Sequence, residues 1–244
     1  MLLNVPMYVA IIFVAIVILS LYLFARSTKN ENIVLYVCSA WVVLQAVIAN
    51  SGFYLNTSTL PPHFALAVAP ALLAIIILFV TKGGKRFIDN IDLRAITLLS
   101  IVRIPVELVL YLLFVNKAIP QLMTFAGRNF DIISGITATI IYFVCFKGNN
   151  VINKKLLLLW NIIALALLLT IVINALLSAP FRFQQFAFDQ PNIAILYFPY
   201  VWLPSFVVMI VLFSHLVSIR RLITNKNLQS PPMAYNLNKR IKQL

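Results

Sequence analysis

The sequence predicts an all-α membrane protein, a bundle of about seven transmembrane helices with the N-terminus outside and the C-terminus cytoplasmic. Three observations carry this reading. Hydrophobic residues make up 62% of the chain and charged residues only 10%, whereas an average soluble domain is about 25% charged. The apolar residues fall into seven runs of spanning length, and the basic residues crowd into alternate gaps between them. Lipid offers no hydrogen bonds, so a spanning segment must satisfy its own backbone, which long helical runs do.

Taken in order, the spans fall near 4–25, 33–52, 63–81, 95–115, 130–146, 156–178 and 194–218. The first has no basic leader and no small-residue cleavage signal and ends in Arg26 and Lys29, so it reads as a retained span. The fifth is the least apolar at its start, because Asp131 opens it. The seventh holds Pro199 and Pro204, which kink or break a helix. Gly135 is the single glycine well inside a span, so no GxxxG dimer face exists. Residues 1–221 form one transmembrane domain, and 222–244 form a polar, basic cytoplasmic tail expected to be disordered.

Orientation follows from the basic residues, which resist translocation in short loops. With the N-terminus outside, fifteen of the nineteen Lys and Arg residues are cytoplasmic; Lys117, Arg128 and Arg182 are external, and Arg103 lies inside span four. Nineteen basic against six acidic residues would suggest nucleic acid in a soluble protein. Here the charges sit between membrane spans, so nucleic acid is excluded as a partner and membrane lipid is the expected one. Cys38 and Cys145 both fall near cytoplasmic helix ends, which argues against a disulfide and for inert buried thiols.

Span four contains the leading candidates. In IVRIPVELVLY, Arg103 and Glu107 lie four residues apart on one helix face, where an ion pair can form, with Pro105 between them. Counted from Ala95 at about 1.5 Å per residue, Glu107 sits about 18 Å deep, near the middle of a hydrocarbon core of about 30 Å. A charge at that depth must face the protein interior or water. It serves either a ligand, proton or ion, or the orientation of helices. Tyr111, Asp131, Asn174, Tyr197 and Tyr200 fall in the outer halves of their spans, as do Gln45, Asn50, Ser134 and Thr170. If they converge with Glu107, they line a polar cavity open to the outside.

Two external segments add to this set. MTFAGRNFD sets Arg128 and Asp131 three residues apart at the mouth of span five, as a gate, an anion contact or a surface ion pair. APFRFQQFAFDQPN carries Phe181, Phe183, Phe186 and Phe188, which suit either an aromatic belt at the outer interface or a lid. His63 and His215 lie near opposite membrane faces by depth counting, too far apart to share a haem or metal, and each reads as an interfacial histidine.

Recognisable catalytic chemistry is missing. The chain has no HExxH, no GxSxG, no P-loop, no Gly-rich dinucleotide motif and no His/Cys cluster with metal spacing, so no catalytic residue, metal or cofactor is expected. Span seven has no lysine for a retinal Schiff base, and no G-protein-coupled receptor motif is present. Asn56-Thr57-Ser58 matches a glycosylation sequon, which counts only in a eukaryotic secretory setting.

RIPVELVLY, MTFAGRNFD and APFRFQQFAFDQPN, followed by FPYVWLP, resemble a bacterial family of uncharacterised multi-pass membrane proteins over most of spans four to seven. The resemblance implies a bacterial inner-membrane location and names no activity. The residues leave two functional readings: binding or transport of a small or lipid-like molecule at Glu107 and Arg103, or a structural or assembly subunit in which that pair only fixes packing. An intramembrane enzyme has a single mid-membrane acid and no nucleophile behind it.

Overall fold

The computed structural model describes residues 4–147 and 150–224, of which 72% are helical. Among these residues, five helical segments are long and apolar enough to cross a membrane, or six if one sharply bent pair is counted as a span.

Helix α1 (Met7–Arg26) buries Val9, Phe13, Ile16, Val17, Ser20 and Phe24, a stripe at helical spacing. It ends where Ser27 and Thr28 turn their hydroxyls back onto the carbonyls of Phe24 and Ala25, satisfying two orphan acceptors of the last turn. Helix α2 (Glu31–Asn50) is far more exposed; its buried residues are Val34, Val42, Gln45 and Ala49. Helix α3 (Ala65–Val80) meets α4 (Lys82–Asp89) at 89°. Thr81 Oγ1 caps α4 by accepting from Gly84 N at 3.1 Å. A Cβ on Gly84 would run into the Leu78 backbone, so the bend requires glycine there.

The predicted fourth span is helix α5 (Leu93–Leu98), a 3-10 stretch (Leu99–Val102) and helix α6 (Arg103–Val115) in series. Pro105 has no N–H for the Ile101 carbonyl, and the tightened backbone lies over that turn. Helix α7 (Asp131–Cys145) has 15 residues. At about 1.5 Å per residue it is about 22 Å long, short of a hydrocarbon core of about 30 Å. A two-stranded hairpin, β1 (Phe146–Lys147) and β2 (Asn150–Val151), leads into helix α8 (Lys154–Leu177).

The seventh run departs most from expectation. Residues 194–201 are not α-helical; a 3-10 turn (Ala194–Leu196) is followed by a π-helical turn (Leu203–Val207) holding Pro204, and α9 (Val208–Thr224) begins only after it. The helix therefore extends six residues beyond the predicted end at 218. Its far end is anchored, since Arg220 Nη1 meets Asp89 Oδ1 at 2.5 Å and Arg221, fully buried, donates to the Ile91 carbonyl. Both cysteines are free, Cys145 buried and Cys38 half-buried. The predicted tail lies outside the described residues from 225 onward.

A buried polar rung beside an apolar cavity as the candidate site

Arg103 opens α6 and reaches across the bundle rather than up its own helix. Its Nη1 lies 3.2 Å from Asp131 Oδ1 on α7, its Nη2 lies 3.0 Å from His215 Nε2 on α9, and Nη1 also approaches the Ala164 carbonyl of α8 at 3.5 Å. Arginine can only donate, so His215 Nε2 is the acceptor and the ring hydrogen sits on Nδ1. That hydrogen is donated to Asn161 Oδ1 at 2.9 Å, while Asn161 Nδ2 donates to the Leu157 carbonyl of its own helix. Trp160 lies edge-on to His215 at 5.6 Å and donates through Nε1 to Thr137 Oγ1. One charged rung thus joins α6, α7, α8 and α9, and all its ionisable members are buried.

This arrangement corrects the expected Arg103–Glu107 pair. The guanidinium turns to three other helices instead, bonding His215 and the Ala164 carbonyl and pairing by charge with Asp131, while its Nε has no hydrogen-bond partner. Glu107 instead accepts through Oε1 from Asn129 Nδ2 at 2.5 Å, and its Oε2 has no hydrogen-bond partner. Asn129 is a junction. It also donates to the Met123 carbonyl at 3.1 Å and accepts from Asp131 N at 3.0 Å, fixing the start of α7 against α6. Close approach of those two helices depends on Gly135, where a Cβ would stand 2.9 Å from Ile104 Cγ1 and 3.2 Å from Ile104 N.

Glu107 and Asp131 also line a cavity of about 100 Å³ between α3, α6, α8 and the broken start of α9. Its wall is otherwise apolar, with Leu110, Met123, Leu168 and Met209 among the residues facing it. The polar, outward-open cavity expected from depth counting is therefore corrected to an apolar one with two carboxylates at its buried end. Phe64 belongs to the wall, and Phe181 of the aromatic loop packs on it at 5.5 Å. Gln190 Nε2 pins that loop by donating to the carbonyls of Phe114 and Ile119.

The remaining candidates do not converge there. Arg128 is exposed, and its expected partner Asp131 faces Arg103 instead. Tyr111 is exposed and stacks on Phe125 at 5.1 Å. Asn174 is half-buried and engaged through its carbonyl by Ser178 Oγ at 2.7 Å. Tyr197 is half-buried; Tyr200 is buried against Phe13, 5.5 Å between ring centroids, with its hydroxyl unpartnered. Asn50 and Thr170 are exposed and bond back to their own helices, and Gln45 is buried and accepts from Tyr54 at 2.7 Å. His63 is half-buried and stacks on Phe53, whereas His215 is buried in the core of the bundle. Sequence reasoning missed Asn129, Asn161 and the central place of His215. No group of His, Cys, Asp and Glu among the described residues has the geometry to hold a metal.

No protein-family model matches the chain, and searches of curated proteins and of solved structures give no match. The geometry is therefore the ground for a functional reading.

Proposed function

We propose that the chain is a seven-span protein of a bacterial inner membrane, N-terminus outside, that binds and transports a small or lipid-like molecule through the cavity bordered by Glu107 and Asp131. The observation that carries this reading is Glu107: a buried carboxyl group with one oxygen unserved, held by an amide rather than a cation, at the wall of an apolar cavity. Unsatisfied buried polar atoms are costly and call for an explanation, and a ligand supplies one. Arg103 then acts as the fixed positive charge that holds Asp131 and the helices in place.

Seven spans require α7 to cross as a short helix and the α3–α4 bend to mark a membrane surface. The basic residues of α4 and the α9 end favour one side for both. Single cysteines placed at Asn56 and at Lys85 test this. Maleimide added outside intact cells should label the first and not the second.

A second reading has an observation of its own. The Arg103–Asp131–His215–Asn161 rung ties four helices together by contacts within the protein, as a structural device in an assembly subunit would. Glu107→Gln separates the two. Under the ligand reading it removes binding and transport in proteoliposomes and leaves the unfolding temperature near that of wild type; under the subunit reading it chiefly lowers stability. A variant equal to wild type in binding, transport and stability would remove both roles for Glu107.

A further inference from the structure

A larger cavity lies away from Glu107, about 300 Å³ against about 100 Å³, between α2, α3, the π turn and α9, with Phe24 of α1 in its wall. The wall is apolar, and its polar side chains are engaged elsewhere. Trp41 Nε1 donates to the Ser205 carbonyl at 2.9 Å, and Ser205 Oγ donates to the Val201 carbonyl at 2.8 Å. The Cys38 thiol adds only a weak donor. Such a wall suits hydrocarbon rather than a polar solute. Val37 of α2 and Pro70 and Ala74 of α3 line it and are exposed, so it opens sideways between those two helices. In a membrane-embedded chain that opening faces lipid.

Helix α4 runs across one end of this cavity. Its Gly84 packs on the backbone of Leu78 in α3, its Asp89 pairs with Arg220 of α9, and Asp92 N, just beyond it, donates to the Ser27 carbonyl that follows α1 at 2.8 Å. Leu78, Phe213 and Phe24, from the same three helices, line the cavity. Helix α4 stands at 89° to α3, with Gly84 and Ile88 buried and Lys82, Lys85 and Arg86 exposed, the layout of a basic helix lying in a membrane interface. Lys29, in the turn between α1 and α2 at this same end, is exposed as well. None of these four cations meets a carboxylate among the described residues. The acids of this end are engaged: Glu31 with Arg26, Asp89 with Arg220, and Asp92 with the amides of Arg94 and Ala95.

We infer that the chain holds an anionic phospholipid at this place, with one acyl chain in the cavity between α2 and α3 and the phosphate against the basic face of α4. The inference requires a membrane-embedded chain and is independent of the ligand reading at Glu107. An apolar cavity of about 150 Å³ holds benzene, so about 300 Å³ takes roughly ten carbons of a chain. A zwitterionic lipid supplies the same chain and leaves the cations unneutralised. A free phosphate leaves the cavity unfilled. A helix from a second copy, about 10 Å across with its side chains, is too wide for the space.

The test is native mass spectrometry of the full chain, delipidated in a neutral detergent and titrated with palmitoyl-oleoyl phosphatidylglycerol, the matching phosphatidylcholine, or glycerol phosphate. The inference expects one phosphatidylglycerol per chain, held about tenfold more tightly than phosphatidylcholine, and no retained glycerol phosphate. Replacing Lys82, Lys85 and Arg86 together by Gln should bring phosphatidylglycerol to the level of phosphatidylcholine and leave the latter unchanged. Ala74→Phe, at the exposed mouth, should weaken both lipids. Glu107→Gln should change neither, so failure here leaves the reading at Glu107 standing. Equal binding of the two lipids by the wild type, or phosphatidylglycerol binding indifferent to the triple replacement or to Ala74→Phe, overturns the inference. Retained glycerol phosphate overturns it in favour of a free-anion site, and a chain dimer broken by Ala74→Phe overturns it in favour of a second copy. The comparison of lipids on the wild type needs no variant to fold.

Discussion

The α6–α9 half of the molecule and the α1–α3 half hold their helices by different means. In the first, Arg103, Asp131, His215 and Asn161 close a charged rung, and the window of the α9 span is 67% buried. In the second, the α2 window is only 17% buried, and α2 is joined to the broken span by two indole hydrogen bonds: Trp41 Nε1 to the Ser205 carbonyl at 2.9 Å and Trp202 Nε1 to the Val42 carbonyl at 2.8 Å. A second cavity, of about 300 Å³, lies between α2, α3 and α9 and has no ionisable carboxylate or guanidinium in its wall. Buried charge goes with tight multi-helix packing because each partner must be found within the protein. Neutral donors that serve one carbonyl each suffice for the exposed α2, while α1 and α8, 39% and 33% buried, lie between the two extremes.

The largest effect should come from Arg103→Met, which leaves Asp131 without its cation and His215 Nε2 without a donor. Loss of about 3–5 kcal/mol is expected, read as a lowered denaturation midpoint in detergent. A loss below about 1 kcal/mol would mean that the rung does not hold this half together. Gly135→Ala sharpens the same point by forcing a Cβ against Ile104, and should cost about 1–3 kcal/mol without touching any charge. In the looser half, Trp41→Phe and Trp202→Phe should each cost about 0.5–1.5 kcal/mol. If either matched Arg103→Met, the contrast between the halves would collapse. Asn50→Ala and Thr170→Ala are expected within about 0.5 kcal/mol of wild type, since both side chains are exposed and bond only to their own helix.

The helical, membrane-compatible class was legible because apolar runs of spanning length leave few alternatives, and Glu107 and Arg103 stood out as charges in the middle of one. Their partners were not legible. Partner choice depends on how each helix is rotated about its axis, which hydropathy does not encode. His215 was read only from its place near the end of a run, which says nothing of the helix face it occupies. The helix runs on to Thr224, and the ring is buried among Arg103, Asn161 and Trp160 of the neighbouring helices. The prolines at 199 and 204 did signal a broken span, but not that a π turn would follow and shift the helix along the chain. Asn129 sat in view beside Asp131 in RNFD, and Asn161 lay in an apolar run; polar residues in such places were the available signal.

The central claim, that Glu107 serves a ligand rather than packing, is tested most directly by native mass spectrometry of the gently solubilised wild type and Glu107→Gln proteins. The account predicts a stoichiometric small molecule on the wild type that is absent from the variant, with both proteins equally folded. A bare wild type together with a variant that has lost stability would contradict it and favour the subunit reading.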